Sequence, residues 1–380
     1  MTAAMRILHI GKYYAPERGG IERSMQDLAE ASVARGHDVA VLVHQRAGTW
    51  RNSRERIAGV DVHRVGCLAA PLYTPLSPAF PFALARVLAS FRPQLLHLHL
   101  PNPSGFAALA SARARRLPWV VHWHADVPPD SDDWRLRFAY RAYRPFEQAV
   151  LRHARAIVAT SKPYLDASIA LARWHSKVEV VPLGIGPARD AASRIAWPGA
   201  GGLRLLAVGR LSRYKGFDVL LAALARTPRA SLLLVGAGEC ERALRTQARS
   251  LGLGARVHFA GALDDAALAS AFASADAFVL PSLDRGEAFG LVLLEAMRAG
   301  LAVVATSIPG SGTGFVIEDE DSGLLVPPGD AAALAHAIDR LADAGLRMRL
   351  GRAAQARWAS QFTLEREDDR IERIYRTCIG

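Results

Sequence analysis

The chain has 380 residues, 51% of them apolar, which suffices for two or three domains with cores of their own and excludes a disordered segment. Lysine and arginine number 47 against 36 acidic residues, and the net charge of +11 favours phosphate-rich partners: nucleotides, nucleic acid or an anionic membrane. The cysteines Cys67, Cys240 and Cys378 are few and far apart, which excludes a disulfide framework and a cysteine zinc site and fits a reducing, cytoplasmic setting.

From the N-terminus, Met1–Ile10 is too short and too polar for a secretory signal, and no later run is long enough to cross a membrane. Short β-branched and leucine runs recur instead, each closed by a turn and followed by a longer stretch of helical period. In the first half they are Arg6–Ile10, Val39–His44, Leu95–Leu98, Trp119–Trp123, Ile157–Thr160 and Val178–Val181. In the second half they are Leu203–Val208, Leu232–Val235, Val257–Ala260, Phe278–Leu280, Val303–Thr306 and Leu324–Val326. Runs apolar on both faces suit parallel strands covered by helices, so the chain reads as α/β, with two doubly wound domains. The Pro- and Gly-rich stretch Pro182–Gly202 marks a hinge, giving domains 1–184 and 185–359, and a C-terminal helix from 360 to 380 is expected to return to the first domain.

Four strand ends carry residues suited to chemistry. The first run opens into Gly11–Gly20 ahead of a helical stretch, which is either an ordinary turn or an anion site at a helix N-terminus. Its spacing is not the glycine fingerprint of a dinucleotide fold. The fourth run leads into His122, His124 and Asp126. Alternate residues share a face, so the histidines form a metal pair, satisfied core residues, or a site where His124 and Asp126 meet a polar substrate. Metal is the least supported of these, because no further ligands are legible. After Leu203–Val208 come Arg210 and Lys215, two cations around one turn, suited to a diphosphate or simply to solvent. Glu287 and Glu295 flank Phe289, Gly290 and Leu291 where a helix is expected to open. Eight residues of helix would separate the carboxylates by about 12 Å, too far for a glycosidase pair and suited to gripping two ends of a long ligand.

Taken together, Gly19-Gly20, His124 with Asp126, the Val-Pro-Leu-Gly-Ile run, Gly-Arg-Leu…Lys-Gly at 209–216, Val-Gly-x-Gly at 235–238 and the Glu-(seven residues)-Glu motif resemble the retaining glycosyltransferases of family 4 with the GT-B fold. The run Ser311–Phe315 is similar to a bacterial subset that builds O-antigen and related polysaccharides with GDP-mannose or GDP-rhamnose. The resemblance implies two Rossmann-like domains facing across a cleft and transfer of a hexose from a nucleotide-diphosphate sugar to a saccharide or lipid-linked acceptor. Arg210 and Lys215 would bind the diphosphate, with Gly20 approaching it from the first domain. Glu287 and the Phe289, Gly290 and Leu291 amides would meet the sugar, Glu295 the ribose, and Gly261 and Leu263 the base. His124 would sit against the sugar. No cofactor or divalent metal is implied. Ala288 departs from the glycine common in relatives. A nucleotide-sugar 2-epimerase and a non-catalytic nucleotide-sugar binder are the alternatives, and no signature of an epimerase's extra acid–base pair is visible.

From Trp134 to Arg155 aromatics alternate with arginines, and Arg113, Arg115 and Arg116 precede them. This suits the inner face of an anionic membrane, at about 1 kcal/mol per basic residue, or a solvated helical face. No nucleic-acid module accompanies it, so nucleic acid is not an expected partner. The oligomeric state is not legible.

Overall fold

The computed structural model describes residues 3–17, 19–71, 74–127, 134–188, 197–198 and 201–380. Part of the expected hinge, residues 189–196, 199 and 200, lies outside them. The chain divides into two compact units. One comprises 1–160, 165–183 and 364–380; the other comprises 161–164 and 184–363.

The first unit contains strands β1 (Arg6–Ile10), β2 (Asp38–Ala47), β3 (Ser53–Ile57), β4 (Val60–Cys67), β5 (Leu95–Leu100), β6 (Trp119–Trp123), β7 (Ala156–Ala159) and β8 (Val178–Val180). Their order is β3-β4-β2-β1-β5-β6-β7-β8, parallel throughout except for the β3–β4 hairpin. Ile7, Leu95, Val120 and Val158 are buried because helices cover both faces. The hairpin is absent from the sequence reading. Its outer strand, Ser-Arg-Glu-Arg-Ile, is almost wholly exposed and has no apolar face to give it away, the composition that keeps an edge strand from pairing with other chains. Ala58 and Gly59, both at positive φ, close it.

The helix Leu364–Ile379 belongs to this unit. Ile371, Ile374 and Tyr375 enter its core, His37 Nε2 lies 3.0 Å from Glu372 Oε2, and Arg35 pairs with Asp368 and Asp369. The preceding helix, Ala344–Gln361, stops at Phe362.

The second unit contains β9 (Leu203–Val208), β10 (Ala230–Val235), β11 (Val257–Gly261), β12 (Ala277–Leu280), β13 (Ala302–Thr306) and β14 (Leu324–Val326), all parallel, in the order β11-β10-β9-β12-β13-β14. In each sheet the chain builds outward on one side, then returns to the other side of its first strand. The resulting switch points are β1/β5 and β9/β12. Open α/β sheets bind ligands beyond the carboxyl ends of the strands at such points, because the loops there diverge and leave a crevice.

Candidate active site

Both loops at the β9/β12 switch point carry predicted residues. After β9 the chain makes a tight turn through Arg213–Lys215 to Gly216, which caps the helix Phe217–Arg226 at φ 65°. A Cβ on Gly216 would stand 2.1 Å from the Pro281 carbonyl oxygen, so only glycine lets the two loops approach. Leu283 N–H donates to the Tyr214 carbonyl at 2.7 Å and ties them together. This delivers Lys215 Nζ to Glu287 Oε2 at 2.6 Å, and Ser282 Oγ donates to the same oxygen at 2.8 Å.

Lys215 and Glu287 are 8% and 7% exposed, which makes them a buried ion pair. Burial opposes the ammonium charge, but Glu287, aided by Tyr214, outweighs it and raises the lysine pKa. The Tyr214 ring lies 5.3 Å from Nζ. The end of β13 and the loop after it complete the frame: Thr306 Oγ1 donates to the Ser282 carbonyl at 2.6 Å, Ser311 Oγ donates to the Glu287 carbonyl, and Gly312 N–H donates to the Ala288 carbonyl at 2.7 Å. A fixed cation beside a fixed carboxylate can neutralise an anionic leaving group while the acid holds a hydroxyl.

A model of "Glycosyl transferases group 1" matches residues 199–357, and one of "Glycosyl transferase 4-like domain" matches residues 19–184. The O-antigen chain mannosyltransferase C of Escherichia coli is 30% identical over 388 residues, covering 99% of each chain. The chain belongs to glycosyltransferase family 4. The D-rhamnosyltransferase WbpZ of Pseudomonas aeruginosa is 33% identical over 94% of this chain and 92% of its own. Sucrose-phosphate synthase from Thermosynechococcus elongatus superposes with a TM-score of 0.79 over 98% of both chains at 27% identity, which establishes the GT-B fold. The protein is therefore a hexosyltransferase.

In the glycosyltransferase Arg210 and Lys215 have different carboxylate partners, and both cations pull against the burial that raises the Tyr214 pKa. Arg210 is exposed, with Nε 3.4 Å from Glu239 Oε2. The helix of the two-glutamate motif also opens later than expected, at Leu291, capped by Gly290 at φ 85°. Only Leu291 to Glu295 therefore contributes helical rise, about 6 Å, and the stretch from Glu287 to Gly290 is not helical as the 12 Å estimate assumed. Phe289 turns its ring into the core against Phe362, which leaves its backbone as the part able to serve a ligand. Leu291 and Glu295 are half-buried on the helix. Gly261 ends β11 and accepts from Gly236 N–H at 2.8 Å; Leu263, half-buried, follows.

In the first unit Gly20 begins the helix Gly20–Ala34, exposed, with no atom within 4 Å of where a Cβ would stand. The Glu22 side chain folds over the adjacent Gly19, and burial raises its pKa. Asp126 Oδ1 accepts from Trp123 Nε1 at 2.9 Å and Ser168 Oγ at 2.6 Å. His124 is buried within a layer of histidines. The register sets His9 of β1 beside His97 of β5, and His99 of β5 beside His122 of β6, all on one face. Neighbouring ring centroids stand 4.2–5.6 Å apart, with planes within 27° of one another except for His9 and His97 at 39°. Two overlapping sets, His9 with His97 and His99, and His99 with His122 and His124, each bring one nitrogen per ring within 4.8 Å of the others, so the structure supplies the further ligands that were not legible in the sequence. Burial, reinforced by mutual repulsion, holds the rings neutral: His9 and His122 fall to about 3, and His97, His99 and His124 well below their ordinary value.

Ser282, Tyr214, Thr306 and Ser311 were not singled out from sequence. Their signal was position, since Tyr214, Ser282 and Ser311 stand in the loops following β9, β12 and β13 and Thr306 is the last residue of β13.

Proposed function

We propose that the glycosyltransferase moves mannose or a related hexose from a nucleoside-diphosphate sugar, with retention of anomeric configuration, to a saccharide or lipid-linked acceptor of a cell-surface polysaccharide. The observation that carries this reading is the buried Lys215–Glu287 pair at the β9/β12 switch point. The relatives named above, an O-antigen mannosyltransferase and a D-rhamnosyltransferase, support the sugar class.

In this reading the Lys215 ammonium stabilises the leaving diphosphate and Glu287 Oε1 accepts from a sugar hydroxyl. Arg210 exchanges Glu239 for phosphate at little cost, since an exposed pair contributes at most about 1 kcal/mol. The leaving phosphate oxygen takes the acceptor's proton as the anomeric C–O bond to phosphate breaks and the new C–O bond forms on the same face. Glu295 holds the ribose, and the base lies near Gly261 and Leu263. Glu287 Oε2 is already committed to Lys215 and Ser282, a poor arrangement for a divalent ion, so the reaction is metal-independent. Purified protein should consume GDP-mannose with a saccharide acceptor, at a rate unchanged by EDTA. GDP should give the largest stabilisation in a nucleoside-diphosphate panel, about 2.7 kcal/mol at 100 times its Kd. An epimerised sugar nucleotide formed without acceptor, or binding without turnover, would replace this reading with an isomerase or a binding protein.

Membrane attachment at the cytoplasmic face is part of the same proposal. Among the described residues no helix is long and apolar enough to cross a membrane. The helix Trp134–His153, however, exposes Trp134, Phe138 and Phe146, and a groove of about 660 Å³ beside it is lined by Arg137, Arg141, Arg144, Arg152 and Arg173. Exposed rings beside clustered guanidiniums suit anionic headgroups. The protein should sediment with anionic vesicles at low salt and be released at high salt. Failure to sediment at either would remove the membrane from the proposal.

A further inference from the structure

Three of the buried histidines are joined in series. His9 Nδ1 lies 3.0 Å from His99 Nε2, and His99 Nδ1 lies 2.9 Å from His124 Nε2, so both nitrogens of the middle ring are engaged. All three rings are neutral, and a neutral imidazole carries one N–H and one lone pair. The chain therefore has two self-consistent proton arrangements. In the first, every proton sits on Nδ1: His9 donates to His99, His99 donates to His124, and His9 Nε2 is a lone pair. In the second, every proton sits on Nε2: His124 donates to His99, His99 donates to His9, and His9 Nε2–H is a donor.

The buried end of the chain decides between them. Among the described residues His9 Nε2 meets no hydrogen-bond partner. Either form leaves one group bare there, but a buried N–H without an acceptor is the rarer and more costly outcome. The first arrangement follows, and it fixes the outer ring: His124 Nε2 accepts, and Nδ1, outside the chain, becomes a donor.

We propose that His9 and His99 are positioning residues that hold His124 as its Nδ1–H tautomer, so that it offers a hydrogen-bond donor to an oxygen of the sugar nucleotide. This rests on the reading that His124 meets the sugar. The sense of the chain suits an oxygen of such a ligand, because sugar hydroxyl, ring and phosphate oxygens all accept hydrogen bonds. With the opposite tautomer, a lone pair would face that oxygen, and only a hydroxyl proton of the ligand could meet it.

The test is a two-bond ¹⁵N–¹H correlation spectrum of histidine-labelled protein at pH 7, with His124 assigned by its loss in His124→Gln. His124 Nδ1 should appear protonated and Nε2 unprotonated; a reversed or averaged pattern overturns the proposal. His99→Phe, which cuts the chain, should lower kcat about tenfold. His99→Asn, whose amide nitrogen can stand near Nδ1, should restore most of the turnover and the spectrum. Native turnover in folded His99→Phe overturns the positioning role; if that variant does not fold, the native spectrum decides alone. Stoichiometric transition metal found by elemental analysis also overturns the proposal, because the ion would take the lone pairs the chain requires. Native turnover in His124→Ala would instead remove the underlying reading of His124, while the spectrum still reports the tautomer.

Discussion

Lys215→Ala should lower kcat by about 10²–10³-fold and destabilise the second unit by about 3–5 kcal/mol, the first because a fixed donor at the leaving group is lost and the second because Glu287 is left buried without its counter-ion. The two losses separate in a double variant. Lys215→Met with Glu287→Gln removes both charges and keeps the side-chain volumes, so calorimetry should show most of the lost melting temperature restored while turnover stays low. Glu287→Gln alone leaves the ammonium unpaired and should melt early as well. Arg210→Ala should behave differently, since its exposed pair with Glu239 contributes little: melting barely moves, and any defect appears in turnover. Should Lys215→Ala turn over donor at the native rate below its melting temperature, the pair would be a structural tie between two loops and no part of the chemistry.

That pair also shows how far the sequence could be read. Lys215 and Glu287 were each legible, because a charged residue just past an apolar run stands where parallel sheets bind ligands. Their contact was not, because 72 residues separate them and only the strand order brings β12 beside β9. Arg210, five residues from Lys215 along a turn, reads as half of a clamp; the turn at Arg213–Lys215 gives the two side chains different carboxylate partners, Glu239 and Glu287, which the sequence did not show. The runs flanking both sites were visible because buried parallel strands are apolar on both faces. The β3–β4 hairpin was invisible because an edge strand in water needs no apolar face. His122 and His124 announced a shared face, and His97 with His99 repeated the spacing. Nothing in the sequence paired either set with His9, since that depends on the β1–β5 register.

Lowering the pH should unfold the first unit well before the second, because the same register gathers five neutral rings in one layer. In the folded unit His9 and His122 stay uncharged down to about 3, and His97, His99 and His124 are held well below their ordinary value; in the unfolded chain all five charge near 6.5. Below about pH 6.5 the unfolded state therefore binds more protons, and each ring removes about 1.4 kcal/mol of stability per pH unit. Glu147 works the other way: burial raises it to about 7, so the folded state takes its proton first and gains as pH falls from there. Glu22 and Asp368, also raised, act in the same sense. His44, which burial lowers to about 4, acts with the five rings, and six histidines against three carboxyls leave a net loss of about 4 kcal/mol per pH unit, against the roughly 5–15 kcal/mol that holds a domain together. A midpoint near pH 5 is expected for a unit at the lower end of that range, read from the fluorescence of Trp119 and Trp123, which are fully buried on β6. His122→Leu is the decisive variant, since both ring nitrogens of His122 lack partners among the described residues. Replacing it should stabilise the unit at pH 7 by about 1–3 kcal/mol and move the acid midpoint downward. A midpoint unmoved by that change, or native fluorescence persisting at pH 4, would mean that the layer is not what limits the unit in acid.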